Sequence, residues 1–239
     1  VRIAVETLEG KSEDDERTFL HVRGVGESKW TKLDLTAKRK RVAFQPVGFS
    51  ADGQRAYFLS NFDQEKQDRL GLFEYDFQSK KVDLVHREAD VDLAGPLLGA
   101  NGEVLGVFHL GGRGEQLLMD DRVKHGQFIN MLVQAFKGQH VSVTSYSDDG
   151  NQAIVRVRSD RNPGEFYLFD LDTRKATFLE ASLPKIKAKQ MLETEPVVIA
   201  ANDGMRLHAL LTRPASKAKQ LPLIINVHGG PFGVTDFWG

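Results

Sequence analysis

The chain has 239 residues, 41% hydrophobic and 27% charged, which suits a globular protein of one large domain or two smaller ones. Lys and Arg number 32 against 33 Asp and Glu, a formal net charge of −1, so composition offers no electrostatic basis for DNA, RNA or an anionic membrane as partner. Cysteine is absent, which removes disulfides, thiolate metal sites and a cysteine nucleophile.

No apolar run reaches bilayer-spanning length. The expectation is a soluble protein, cytoplasmic or periplasmic, with no membrane partner. The start, Val1-Arg2-Ile3, has no Met and no signal pattern, and reads as an internal start.

Taken in chain order, the residues fall into weak repeats. One unit is a strand, a short polar turn and a second strand: "TKLDLTAKRKRVAF", "LFEYDFQSKKVDLV", "LLMDDRVKHGQFIN" and "YLFDLDTRKATFL". Asp34, Asp76, Asp120 and Asp170 are its equivalent acids, spaced 42, 44 and 50 apart. A second unit places a glycine turn before a strand: "FSADGQRAYFLS", "LGANGEVLGVFHL" and "YSDDGNQAIVRVRS". Its turn glycines, Gly53, Gly102 and Gly150, are spaced 49 and 48 apart. Asp-Gly and Asn-Gly tolerate the positive φ of tight hairpins, and the flanking runs alternate as half-buried strands do. In "RAYFLS", Ala56, Phe58 and Ser60 share one face and Arg55, Tyr57 and Leu59 the other.

A period of about 40–50 residues with four antiparallel strands indicates propeller blades. The fold expected is mainly β: about four blades, at 1–46, 47–95, 96–144 and 145–184, forming part of a propeller. A β-sandwich with internal similarity is the rival. No helical stripe of useful length is expected before about Leu183.

After Leu183 the character changes. Residues 185–195, within "PKIKAKQMLETE", read as a polar linker. A hairpin follows in "PVVIAANDGMRLHALLTRP", with Asn202-Asp203-Gly204 as its turn. Then "LPLIINV", apolar almost throughout, reads as a strand buried on both faces of a parallel sheet. Residues 196–239 would thus open an α/β domain. The chain closes on "NVHGGPFGVTDFWG".

From "EPVVIAANDGMRLHALLTRP" through His228-Gly229-Gly230-Pro231 to the closing Trp-Gly, about fifty residues resemble the start of the catalytic domain of the prolyl oligopeptidase family. The nearest branch is the acylaminoacyl-peptidase and dipeptidyl-peptidase-like one. The resemblance implies a β-propeller followed by an α/β-hydrolase domain, with serine-peptidase action on short peptides and the propeller as a size filter. It also implies that His228, Gly229, Gly230 and Pro231 form an oxyanion-hole loop, Gly229 and Gly230 being the candidate donors. An HGGG-type loop after the third strand supplies such a donor in α/β-hydrolases.

No Gly-x-Ser-x-Gly elbow occurs. Gly48-Phe49-Ser50-Ala51-Asp52 and Gly26-Glu27-Ser28-Lys29-Trp30 both lack the second glycine and read as turns. The catalytic triad is expected beyond Gly239, so this polypeptide alone is expected to be inactive. Two alternatives stand beside this reading: a non-enzymatic β-propeller binding module, and an esterase or amidase on the same scaffold.

No cofactor is expected. "RGVGESKW" and "LGGRGEQ" are glycine-rich but lack the P-loop pattern and read as hairpin turns. The seven histidines show no paired spacing, so no metal site is expected. Glu13-Asp14-Asp15-Glu16 reads as a solvated loop, or by family analogy as a contact for a peptide amino terminus. Arg113, on a glycine-rich loop, reads as a solvent-facing arginine or, in an intact enzyme, one that reaches a substrate carboxylate. Incomplete blade packing and an unpartnered strand at 223–227 would favour self-association.

Overall fold

The structure, a computed structural model, describes all residues except 1, 9, 12–16, 34, 36–41, 65–67, 217–219 and 231–235. The acidic run Glu13–Glu16, the first repeat acid Asp34 and Pro231 of the candidate loop therefore lie outside the described residues. The chain forms two compact units, Val1–His109 with Gln116–Gln127, and Leu110–Glu115 with Phe128–Gly239.

The chain is mainly β, in successive small sheets. The first holds β1 (Ile3–Leu8), β2 (Arg17–Val22) and β3 (Thr31–Leu33) in sequence order. The second holds β4 (Phe44–Phe49), β5 (Arg55–Ser60), β6 (Gly71–Asp76) and β7 (Val82–His86), each antiparallel to the next. The third holds β8 (Leu93–Leu98), β9 (Val104–His109) and β10 (Glu115–Leu118). The fourth holds β11 (His140–Tyr146), β12 (Gln152–Arg158), β13 (Glu165–Asp170) and β14 (Lys175–Ala181). These up-and-down sheets of three or four strands are propeller-type blades, as the repeat predicts.

The alternation in β5 shows why blades pack face to face. Ala56 and Phe58 join Leu20, Val22, Phe73 and Tyr75 in one buried cluster. Tyr57 and Leu59, on the opposite face, join Leu72, Leu93, Val104 and Val107 in another. A strand whose two faces both enter a core is nearly all buried, and only Arg55 at its start is exposed.

The glycine turns are built alike. In the second sheet Gly53 (φ +68°) donates its N–H to Ser50 O at 2.9 Å, while the Ser50 hydroxyl bonds Asp52 Oδ1 at 2.6 Å. In the fourth, Gly150 (φ +68°) donates to Ser147 O at 2.8 Å, and the Ser147 hydroxyl bonds Asp149 Oδ1 at 2.6 Å. The turn at Gly102 lacks the serine and is one residue shorter, Gly99 N–H closing on Glu103 O at 2.9 Å.

Of the repeat acids, Asp76 and Asp170 are equivalent. Each accepts an N–H three residues on, Ser79 at 2.7 Å and Thr173 at 2.8 Å. The residue after that amide is left-handed, Lys80 at φ +58° and Arg174 at φ +55°.

Asp120 breaks the pattern and corrects the sequence reading. "LLMDDRVKHGQFIN" is not a hairpin: β10 ends at Leu118 and α1 (Lys124–Ala135) follows. Phe128 and Leu132, four apart, bury one stripe of α1 against Val141, Val155, Val157 and Phe169. The expectation of no helix before Leu183 therefore fails. The stripe is short, and His125 and Gly126 at its start disguise it. Gly126 is required there, since a Cβ would stand 2.0 Å from Asp120 O.

Past the fourth sheet, a single 3₁₀ turn (Ala188–Gln190) leads to a two-stranded hairpin, β15 (Thr194–Ala200) and β16 (Arg206–Thr212). Its turn is the expected Asn202-Asp203-Gly204, with Gly204 at φ +84° and Met205 N–H on Asp203 Oδ1 at 2.9 Å. The expected buried strand at "LPLIINV" does not form. Residues 221–230 carry no strand, and Leu223, Ile224, Ile225 and Val227 are 75–90% exposed. A strand apolar on both faces needs a neighbour on each side, and among the described residues none pairs with it.

Candidate functional site

The loop singled out in the sequence stands open. Its backbone carries no regular secondary structure through Val227, and Gly230 takes φ +90°, a conformation that side-chain-bearing residues rarely adopt. A Cβ at Gly229 would meet nothing within 4 Å. His228 Nδ1 lies 3.3 Å from Gly229 O and donates to it when protonated at that nitrogen. Among the described residues neither glycine N–H is bonded to another backbone carbonyl.

The last three residues, Phe237 to Gly239, are docked. Trp238 is 3% exposed, its Nε1–H donating to Thr194 O at 2.8 Å. Arg113 lies over the Trp238 ring, 5.1 Å from its centroid. Arg158 lies 5.1 Å from the Phe237 centroid and donates to Gly239 O. The N–H of Thr194 goes to Asp160 Oδ2 at 2.7 Å. Both backbone groups of the first residue of β15 are therefore held, one by the β12–β13 turn and one by the tail. Sequence reading missed Asp160 and Trp238 as anchors, because their partners lie 34 and 44 residues away.

The end of β12 is strongly cationic. Burial, then Arg158 and Arg156, pushes the neighbouring His140 down to about 4, and its Nδ1 is buried without a partner. Arg158 is itself lowered, by burial first and then by Arg156. His140 is therefore neutral at pH 7.

The other candidates are structural. "RGVGESKW" and "LGGRGEQ" turn between strands, with Gly26, Gly112 and Gly114 at positive φ. Ser50 belongs to a turn and is bonded to Asp52. Among the described residues no group of three His, Asp or Glu could hold a metal ion. A buried pair that the sequence did not suggest joins Glu103 Oε1 to His125 Nδ1 at 3.1 Å, tying the Gly102 turn to the start of α1.

No family model matches the chain. A curated relative, described as an uncharacterised peptidase of Bacillus subtilis, is 25% identical over 168 residues, 66% of this chain and 26% of the relative. The chain thus spans about a quarter of that relative's length. Among solved structures, a puromycin-hydrolysing peptidase of Mycobacterium tuberculosis is 15% identical with a TM-score of 0.50, covering 92% of this chain and 33% of the other. Prolyl oligopeptidase B of Galerina marginata is 12% identical with a TM-score of 0.49, covering 91% and 30%. At these identities structural likeness bears on the fold alone. In sequence and in fold the chain is similar to peptidases, and its resemblance to the prolyl oligopeptidase family stands.

Proposed function

We propose that this chain is part of the propeller and the opening of the α/β-hydrolase domain of a serine peptidase that cleaves short peptides by acyl transfer. The observation that carries this is an order: propeller-type sheets, a polar connection, an Asn-Asp-Gly hairpin, an apolar run, then His-Gly-Gly. Sequence similarity to a bacterial peptidase over 168 residues supports it.

The chemistry follows from the loop. Attack on a peptide carbonyl places negative charge on its oxygen, and preorganised N–H donors lower that barrier. Gly229 and Gly230 are the candidate donors, and His228 shapes their loop. The nucleophile, base and orienting acid belong to residues outside these 239, since the chain has no Gly-x-Ser-x-Gly. The blades would restrict access to short peptides. Alone, the chain hydrolyses nothing.

The test is to read the gene beyond the codon for Gly239 and assay both products against peptides, esters and a serine-directed phosphonate probe. Labelling and peptide cleavage by the longer product, with neither from the 239 residues, is the expected result. Ester cleavage without peptide cleavage would favour the esterase reading. An immediate stop codon, or peptide cleavage by the 239 residues alone, would overturn the proposal.

A further inference from the structure

The second unit contains a cavity of about 840 Å³ that the catalytic reading does not use. Five cationic side chains line it: Arg113 from the β9–β10 loop, Lys137 after α1, Arg161 from the β12–β13 turn, and Lys187 and Lys189 ahead of β15. Three carboxylates share the wall, and each is engaged. Asp160 accepts the Thr194 N–H, Glu165 accepts the Tyr167 hydroxyl at 2.7 Å, and Glu193 lies 3.7 Å from Arg161. Among the described residues no carboxylate comes within ion-pair distance of Lys137 or Lys189.

More positive charge lies under the floor. Gly164 lines the cavity, and a Cβ there would come within 3.0 Å of Arg156 Nε. That Nε is buried without a partner, while Nη2 of the same group donates to Pro163 O at 3.3 Å.

The β12–β13 turn is rigid before any ligand arrives. Ser159 Oγ accepts from the N–H groups of Arg161 and Asn162 at 3.2 and 3.1 Å, and Asn162 Oδ1 accepts from Gly164 N–H at 3.1 Å. Pre-ordering reduces the entropy lost on binding. Apolar surface adjoins the charge, for Leu183 and Ile186 also line the cavity and are 53% and 37% exposed.

An excess of cations over carboxylates beside apolar surface suits an anion that carries an apolar group. We propose that this cavity binds the free C-terminal carboxylate of a short peptide ending in an apolar residue. Arg113, Lys137 and Arg161 take the carboxylate, and Leu183 and Ile186 take the last side chain. The proposal rests on the peptide-handling function inferred above and adds which end of the peptide is read.

The experiment uses the 239-residue chain with Trp30→Phe, which leaves Trp238 under Arg113 as the single tryptophan, excited selectively at 295 nm. It is titrated with Ala-Ala-Phe, with the same peptide as its C-terminal amide, and with inorganic phosphate. The free acid should bind at least about tenfold tighter than the amide, as expected when charge-assisted hydrogen bonds are lost. Lys137→Gln with Arg161→Gln should remove about that tenfold for the acid and leave the amide unchanged. Both side chains are exposed, and far-UV circular dichroism verifies that the variant is folded.

Equal binding of acid and amide would overturn carboxylate recognition and leave the peptidase reading intact. Binding of phosphate alone, or of none of the three, would overturn the proposal. The peptidase reading fails separately, by the assay of the longer product.

Discussion

Trp238 donates its indole N–H to the carbonyl of Thr194 at 2.8 Å, across 44 residues of chain. Asp160 holds the N–H of the same residue, so the hairpin of β15 and β16 is fixed at its first residue. Trp238→Phe keeps most of the buried surface and removes one hydrogen bond, costing about 1 kcal/mol. Trp238→Ala also leaves a cavity and costs about 3–5 kcal/mol. Hydrogen exchange should show faster exchange at 194–212 in both variants, with β12 and β13 unchanged. Unaltered exchange at Thr194 and its neighbours would refute the clamp.

The repeated turns predict a matched pair of effects. Gly53 and Gly150 share φ +68°, so alanine at either strains the backbone and costs about 1 kcal/mol. The adjoining acids should also titrate alike. The Ser50 hydroxyl, then Gln54 N–H, holds the Asp52 carboxyl below its usual range, and Ser147 and Asn151 do the same for Asp149. A depressed folded pKa gives stability that is present above the unfolded carboxylate range and is lost as pH falls through the folded value. Carboxyl-carbon NMR should place both acids below a free aspartate. Two unlike titration curves would break the equivalence.

How much was legible depends on where each interaction reaches. The turns were legible because Asp-Gly and its serine interact within five residues. The two faces of β5 were legible because a strand alternates with period two, and Phe58 and Leu59 duly enter different clusters. Helix α1 was not, since Phe128 and Leu132 signal a stripe only against Val155 and Phe169, which follow later in the chain. The 221–227 run was misread because its apolarity specifies burial without saying by what. The His-Gly-Gly loop was visible as glycine chemistry, while its Trp238 anchor, set by a contact 44 residues away, was not.

The core predicts a graded response. Phe58 is fully buried and packs 5.6 Å from the Phe73 ring, so Phe58→Ala should cost about 3–5 kcal/mol. Leu132, 1% exposed, is the most deeply buried residue of α1, and Leu132→Ala should cost about 2–5 kcal/mol. Urea unfolding measures both. A loss under 1 kcal/mol at Leu132 would mean that α1 does not pack as described.

The exposed run at Leu223, Ile224, Ile225 and Val227 should drive copies of the chain together, because contiguous apolar surface in water favours association. Sedimentation velocity should show a concentration-dependent shift that Ile224→Lys with Ile225→Lys reduces. A monomer at every concentration in the unsubstituted chain would refute this.

His140 predicts the pH dependence of the second unit. An unfolded histidine titrates near 6.5, whereas burial and the charges of Arg158 and Arg156 bring the folded residue to about 4. Between those values the unfolded chain binds a proton that the folded chain does not. Stability should therefore fall as pH drops from about 6.5 to about 4, and this contribution should be flat on either side. His140→Phe keeps an aromatic ring and removes the titration. The difference between the two proteins in urea midpoint against pH isolates this residue from the other histidines. That difference should grow between pH 6.5 and 4 and stay constant outside this window. A His140 ring proton titrating near 6.5 by NMR would show that the buried, arginine-flanked setting does not hold in solution.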